Sequence, residues 1–272
     1  MTTDSKERKT EVRDDIFKLR SYVNVNNVDM NRVARPAGLL REMQECSSRQ
    51  MAAQRPSYDE LLDKGQALML SRMDMIIPQE VYLEEPIDVY SWPCPSVRAT
   101  FLRNYAIYKN GHPAAMISSQ WSLVNTQTRK IMKVEDVDFS NYTMDEYVDV
   151  MPEGKFKISR EEAEAMEHVA EKKIMLSDID YNGHMNNTNY VDLLCDYIPE
   201  LYEGTHRVSS FRIHFSKEAP LGETIQIMRL RETDGKYLFR TLRSDGDVNV
   251  EAEFNIIRRL RRSEPQENRR KE

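Results

Sequence analysis

The chain has 272 residues, which suits one very large domain or two domains of ordinary size. Hydrophobic residues make up 40% and charged residues 31%, a balance that supports a packed core and excludes a wholly disordered chain. The formal net charge of -6 excludes a broad nucleic-acid-binding surface, because neutralising phosphates requires a basic field.

The cysteines and the N-terminal segment indicate a compartment. Cys46, Cys94 and Cys195 are odd in number and widely spaced, so they predict neither a disulfide framework nor a zinc site. Residues 1–15 are polar and carry acids, without the apolar stretch of a signal peptide. No segment reaches the roughly 18 apolar residues of a membrane span. We therefore expect a cytoplasmic protein without membrane contact.

The first part of the chain reads as a strand, a polar loop, a helix and four strands. Residues 17–25 are strand-like, and residues 26–35 form the polar loop. Pro36 suits the first helical position, and Leu39, Leu40 and Met43 begin an apolar stripe. Apolar alternation and an Asn110-Gly111 hairpin signal predict four further strands, at 73–77, 87–89, 100–108 and 114–124.

The middle of the chain is charged and favours helix. Thr143 with Glu146 and Ser159 with Glu162 are spaced as capping boxes. Residues 161–172 form a charged, strongly helix-forming stretch. We predict a helical linker over residues 135–173.

The last part repeats the order of the first. Residues 176–187 form a polar loop, and a helical stripe follows, with Asn186 or Asn187 as the N-cap and Pro199 as the stop. Strands are predicted at 211–215, 225–227, 237–242 and 248–256, the last two joined at an Asp245-Gly246 turn.

The two parts align as copies of one unit. Asp29-Met30-Asn31 overlays Asp180-Tyr181-Asn182, Glu80 overlays Glu218, and Gly111 overlays Gly246. The unit suggests one helix wrapped by an antiparallel sheet, present twice. We predict domains at residues 15–134 and 174–260.

Two motifs carry a family resemblance. The loop Asp180-x-Asn182-x-His184-x-Asn186-Asn187-x-x-Tyr190 and the later Lys217-Glu218-Ala219 resemble the active-site motifs of acyl-acyl carrier protein thioesterases of plants and bacteria. Leu70-Ser71-Arg72 and Ser91-Trp92-Pro93 resemble N-terminal motifs of that family. The resemblance spans about residues 15–260. It implies an α+β fold of two tandem hotdog domains, each an antiparallel sheet wrapped around a central helix.

The residues suit thioester hydrolysis, which needs an activated water and a stabilised oxyanion. We predict Glu218 as the general base, with His184 sharing that role or polarising the water. Asn182 is expected to donate to the substrate carbonyl or to position the water, and Asp180 to orient Asn182. Plant members commonly carry Cys after the glutamate, whereas this chain has Ala219, so no thiol nucleophile is available there.

The first copy has Val33 where His184 would fall, so we predict that it binds the acyl chain and leaves the chemistry to the second copy. Expected substrate contacts are Leu40, Met43 and Met73 of the first copy, with Asn186 and Asn187 of the second. No cofactor is predicted. Asp180 and His184 without a further His or Cys cluster do not predict a metal site.

The expected partner is acyl carrier protein with a phosphopantetheine-linked acyl chain, bound by a monomer or a homodimer. Because carrier proteins are acidic, a basic patch is expected near the site, with Lys217 and Arg212 as candidates. The run 258–262 is either a second basic patch or a solvated C-terminus. Two alternatives remain open: a hotdog hydratase or thioesterase acting on acyl-CoA, and a non-catalytic acyl or carrier-protein binding module.

Overall fold

The structure is a computed structural model that describes residues 12–151, 156–232 and 235–259. The strands of these ranges are β1 (Phe17–Tyr22), β2 (Gln66–Ile76), β3 (Pro86–Val97), β4 (Thr100–Lys109), β5 (His112–Asn125), β6 (Glu167–Lys173), β7 (His206–Phe215), β8 (Thr224–Arg231), β9 (Lys236–Leu242) and β10 (Val248–Arg258). The helices are α1 (Pro36–Ala53), α2 (Tyr58–Asp63), α3 (Arg160–Glu164), α4 (Asn187–Cys195) and α5 (Pro199–Tyr202).

The ten strands form one antiparallel sheet. Its order is β1-β3-β4-β5-β2-β7-β10-β9-β8-β6, so the strand order of the second half mirrors that of the first. β1 corresponds to β6 and β2 to β7, and the halves join where β2 pairs with β7. Each half therefore has five strands and one central helix; the sequence predicts this unit for the first half and all of it except β6 for the second.

The joint between the halves holds a buried ion pair. Asp74 faces Arg212 across β2 and β7, and its carboxylate lies 3.7 Å from the Arg212 Nε. Arg72 also pairs with Asp74, which is only 1% exposed. Burial raises the pKa of Asp74, against the opposing influence of the two arginines. The register places Asp74 and Arg212 at equivalent positions of the two copies, so identical copies would set like charges against each other here.

The two long helices pack on the inner face of the sheet and on each other. α1 begins at Pro36 as predicted and buries Leu39, Leu40 and Met43. Asp192 of α4 accepts hydrogen bonds from Arg35 at 2.9 Å and Arg41 at 2.7 Å. One continuous apolar core thus spans both halves. Among the described residues, no helix is long and apolar enough to cross a membrane.

The predicted helical linker over residues 135–173 is wrong for most of its length: among its described residues, α3 is the only α-helix. Ser159 and Glu162 do form a capping box, but α3 ends at Glu164 and residues Glu167–Lys173 form β6, paired with β8. β6 is an edge strand, and edge strands carry charges that discourage pairing with other chains. Its composition therefore imitates that of an exposed helix. The Thr143–Glu146 pair starts no helix.

Candidate active site

The loop that carries the candidate catalytic residues reverses direction between Asp180 and His184. The backbone N–H of Asp180 donates to the carbonyl of His184 at 2.9 Å, and that of Gly183 donates to the carbonyl of Asp180 at 3.0 Å. Gly183 has a φ of +82°, in the left-handed region where a side chain adds strain. An isolated bridge between His184 and Pro220 then fixes this loop beside the segment that carries Glu218.

His184 and Glu218 are in direct contact. The Nε2 atom of His184 lies 3.0 Å from Oε2 of Glu218, and the two side chains are 26% and 34% exposed. The backbone N–H of Met185 donates to the carbonyl of Ala219 at 2.9 Å, which holds the two segments in register. The pair is fixed on its protein side and open to solvent on the other, as a water-activating pair requires.

Asp180 and Asn182 lie on the same loop and interact through the backbone. The Oδ1 atom of Asp180 accepts from the backbone N–H of Asn182 at 2.8 Å. Asp180 therefore shapes the loop and does not bond the Asn182 amide group itself. That amide instead accepts a hydrogen bond at 3.1 Å from the hydroxyl of Tyr58, a residue of α2 in the first half.

Asn186 is the N-cap of α4, one of the two residues that the sequence indicated. Its Oδ1 atom accepts from the backbone N–H and from the hydroxyl of Thr188, each at 2.9 Å. Asn187 is the first helical residue and is half-buried. This cap starts α4 at Asn187, shortly after His184 in the chain. The dipole at the N-terminus of the helix favours negative charge that develops there. Substrate contact by Asn186 and Asn187 stays a prediction.

The predicted acyl-contacting residues of the first half lie in the core. Leu40, Met43 and Met73 are 2%, 1% and 6% exposed and belong to the cluster that joins both halves. Leu39, next to Leu40, borders a cavity of about 170 Å³. A role for Leu40, Met43 and Met73 in holding the acyl chain stays a prediction.

Arg129 of the first half also lies near the candidate pair His184 and Glu218. Its Nη1 atom lies 3.9 Å from Oε1 of Glu218, and its side chain is 65% exposed. The chain turns tightly before it, with three donors from Gln127 and Thr128 on the Oδ1 of Asn125. Local sequence patterns give no signal for Tyr58 or Arg129, because their partners are 124 and 89 residues away.

The first copy has the same loop geometry without the imidazole. The backbone N–H of Asp29 donates to the carbonyl of Val33 at 2.8 Å, and Val33 bridges Tyr82 as His184 bridges Pro220. Val33 therefore occupies the place of His184, and Glu80 that of Glu218. The overlay predicted from the sequence is confirmed.

Arg259 contacts both acidic residues of the corresponding site in the first copy. Its guanidinium lies 2.6 Å from Oδ2 of Asp29 and 3.0 Å from Oε1 of Glu80, while Tyr82 donates to the other Glu80 oxygen at 2.8 Å. A carboxylate held this way is poorly suited to accept a proton from water. Arg259 thus belongs neither to a basic docking patch nor to a solvated end; residues 260–262 lie outside the described residues.

The predicted basic patch needs one correction. Arg212 is buried in the joint between the halves, where its guanidinium donates to the carbonyl of Met151 at 2.7 Å, so it does not face the site. Lys217 is exposed, 3.6 Å from Asp247. Within the described ranges, no group of three His, Cys, Asp or Glu residues could hold a metal ion.

Family models match both halves of the chain. The model of the acyl-ACP thioesterase N-terminal domain matches residues 14–142, and that of the acyl-ACP thioesterase C-terminal domain matches residues 161–257. This chain belongs to the acyl-ACP thioesterase family. The family assignment rests on most of the chain and includes the loop and the glutamate motif.

Curated relatives of this family are longer than the chain. An oleoyl-acyl carrier protein thioesterase of Arabidopsis thaliana is 23% identical over 65% of this chain and 51% of its own length. A palmitoyl-acyl carrier protein thioesterase of Gossypium hirsutum is 21% identical over 77% of this chain and 52% of its own. The chain thus spans about half the length of the curated relatives it matches.

Solved structures of the family share the fold. An acyl-ACP thioesterase from Bacteroides thetaiotaomicron superposes with a TM-score of 0.80, at 20% identity over 89% of this chain and 98% of that chain. A 12:0-ACP thioesterase from Umbellularia californica gives 0.77, at 15% identity over 92% and 100%. The predicted α+β fold of two tandem hotdog units is confirmed.

Proposed function

We propose that this chain hydrolyses the thioester of acyl-acyl carrier protein and releases a free fatty acid. The observation that carries the proposal is the 3.0 Å contact between His184 and Glu218 beside the N-terminus of α4, with Asn182 on the same loop. Family membership supports the same activity.

The geometry supports a simple mechanism. Glu218, with His184 at its other oxygen, accepts a proton from a water as the water oxygen bonds to the thioester carbon. Donors at Asn182 and at the start of α4 stabilise the negative charge that develops on the carbonyl oxygen. The carbon–sulfur bond then breaks, and the departing thiolate takes up a proton. The step needs no cofactor.

A group of exposed basic side chains supports acyl carrier protein as the partner. Lys64, Arg129 and Lys130 of the first half and Lys217 of the second are exposed. Thr126 bonds the carbonyl of Gly65, so the loop with Arg129 and Lys130 lies beside Lys64. An acidic carrier protein is attracted to such a surface, and salt screens the attraction. Raising salt is therefore expected to increase KM for acyl carrier protein substrates more than for acyl-CoA.

The deciding experiment measures thiol release from acyl carrier protein and coenzyme A thioesters. We expect turnover of the carrier-protein substrate, lost in Glu218→Gln, with the exposed Glu135→Gln as the matched control. Hydration of an enoyl-CoA without thiol release would instead indicate a hydratase. Binding without turnover of any thioester would indicate a binding module.

We further propose that the first half holds the acyl chain. Its own copy of the site lacks the imidazole, and Leu40, Met43 and Met73 supply an apolar interior. Met73→Ala is expected to change the preferred acyl length across a ladder of substrates, whereas an equal loss at all lengths would indicate damaged packing. The free cysteines, of which Cys46 and Cys94 are buried, and the halves joined in one chain favour a reducing cytoplasm and a chain that suffices as a monomer.

A further inference from the structure

Two side chains of the first half reach the catalytic residues of the second. Tyr58, from α2, donates its hydroxyl to Oδ1 of Asn182 at 3.1 Å. Arg129, from the loop after β5, places Nη1 3.9 Å from Oε1 of Glu218. We propose that Tyr58 and Arg129 are positioning residues, which set the Asn182 amide and the Glu218 carboxylate for the hydrolysis proposed above.

Tyr58 determines which end of the Asn182 amide faces the substrate. Burial raises the pKa of Tyr58, so its hydroxyl stays protonated at neutral pH and can donate. Donation to Oδ1 directs the other end of the amide, the Nδ2 donor, away from Tyr58. An N–H donor is the group that a developing oxyanion needs, and a carbonyl oxygen in its place would repel it. The Tyr181 ring packs edge-on against Tyr58 at 5.6 Å and limits its movement.

Arg129 lies near the carboxylate oxygen of Glu218 that His184 does not contact. His184 contacts Oε2, and Arg129 faces Oε1, so the carboxylate lies between two groups from different halves. Arg129 has a φ of +58°, an unfavourable left-handed conformation for a side-chain residue, and the hydrogen-bonded turn before it maintains this conformation. The loop therefore fixes the backbone of Arg129 at a place from which the guanidinium comes within 3.9 Å of Glu218.

In the first copy, which lacks the histidine, the counterparts of Asn182 and Glu218 have different neighbours. Asn31, the counterpart of Asn182, faces Gly204, where an added Cβ would lie only 3.1 Å from its Nδ2. A glycine, and not a tyrosine, therefore lies beside this amide. Arg259, directly after β10, lies beside Glu80 as Arg129, in the loop after β5, lies beside Glu218, although the two arginines are not at equivalent positions of the repeat. Arg259 contacts both Asp29 and Glu80, at 2.6 and 3.0 Å. In each copy, an arginine from the opposite half thus lies beside the glutamate. Arg259 is 3.0 Å from Glu80, whereas Arg129 is 3.9 Å from Glu218, which leaves more room for water.

The test compares Tyr58→Phe, Arg129→Gln and Arg129→Lys in the intact chain, by thiol release from acyl carrier protein substrates. Tyr58→Phe is expected to lower kcat about 3- to 10-fold, with KM within about twofold, because one aligning hydrogen bond is lost. Arg129→Gln is expected to lower kcat similarly, and Arg129→Lys to recover part of it.

Arg129→Lys is the second readout, because lysine keeps a positive charge beside Glu218. Lys217 and Arg243 also lie near Glu218, and the Arg243 guanidinium donates to the Glu218 carbonyl at 3.5 Å. Recovery of kcat by lysine but not by glutamine is expected if the positive charge of Arg129 positions the carboxylate.

Tyr202 supplies the matched control for Tyr58→Phe. Tyr202→Phe alters an exposed tyrosine of α5 that bonds only near its own helix, and it should leave kcat unchanged. Normal kcat in Tyr58→Phe and Arg129→Gln would overturn the inference while leaving the proposed function intact. Lower melting temperatures with unchanged kcat would also overturn it, since they would indicate structural roles. Absence of thiol release by the unaltered chain would reject the proposed function and this inference together.

Discussion

Val33 and His184 occupy the same place in two loops with the same backbone hydrogen bonds. The sequence alone could predict His184 and Glu218, because their motifs are local and their spacing is regular. It could not predict Tyr58, Arg129 or Arg259, since each meets its partner only after the halves have joined. At the residue scale, the candidate site residues thus lie in local sequence motifs, whereas the residues that contact them are distant in sequence.

The cysteines allow a prediction at this scale. Burial raises the pKa of Cys46 and Cys94 to about 12, and burial also raises the pKa of Cys195. The reactive thiolate is therefore scarce at pH 8 and increases only as the pH approaches the raised values. With Ala219 after the glutamate, iodoacetamide at pH 8 should leave hydrolysis nearly intact.

Activity after alkylation, with the modified cysteines identified by mass spectrometry, checks this expectation. Complete inactivation that follows modification of one cysteine and is prevented by substrate would contradict it. Cys195, on the helix that carries the site, would be examined first.

At the scale of elements, periodicity predicts most strands and both long helices. β10 alternates apolar and polar residues along its length, as expected for a strand with one buried face. β6 was missed because its charged residues alternate weakly and its neighbours form a helix with a true capping box. Only pairing with β8 decides that this segment is a strand, and pairing depends on residues more than 50 positions away.

Removal of the Asn186 side chain, which caps α4, is predicted to lower both stability and activity. Asn186→Ala removes the side chain that accepts two hydrogen bonds from Thr188. It should lower the free energy of unfolding by about 0.5–2 kcal/mol. Because α4 begins directly after the catalytic loop, kcat should fall as well. Denaturant unfolding and thiol release measure the two effects.

Asn186→Asp is the matched control, since aspartate also caps helices well. It should retain most of the stability. If Asn186→Ala were as stable as the unaltered chain, the cap would not organise this loop.

At the scale of the whole molecule, the two halves are specific for each other. Asp74 and Arg212 occupy equivalent positions yet carry opposite charges, so the joint suits one copy of each half. The repeat could be predicted from the sequence, but the merging of both sheets through β2 and β7 could not, because neither strand shows which edge it offers. This joint brings Tyr58 and Arg129 to the catalytic loop.

The buried pair predicts a large loss of stability. Asp74→Ala deprives Arg72 and Arg212 of this carboxylate in a site that is 1% exposed, and breaking a buried pair costs about 3–5 kcal/mol. Glu135→Ala removes the exposed pair with Lys133 and should cost less than about 1 kcal/mol. Urea unfolding of both variants provides the comparison, and equal small losses would show that the joint does not depend on Asp74.

The central claim is that the second half alone performs the hydrolysis. The most direct measurement is thiol release from acyl carrier protein substrate by His184→Ala, with folding checked by circular dichroism. Because Val33 and Arg259 leave the first copy without a working base, kcat should fall by about 10²- to 10⁴-fold, the usual effect of losing a positioned acid or base. A folded variant that retains about half of the original rate would contradict the account, since a second working site would then have to lie in the first copy.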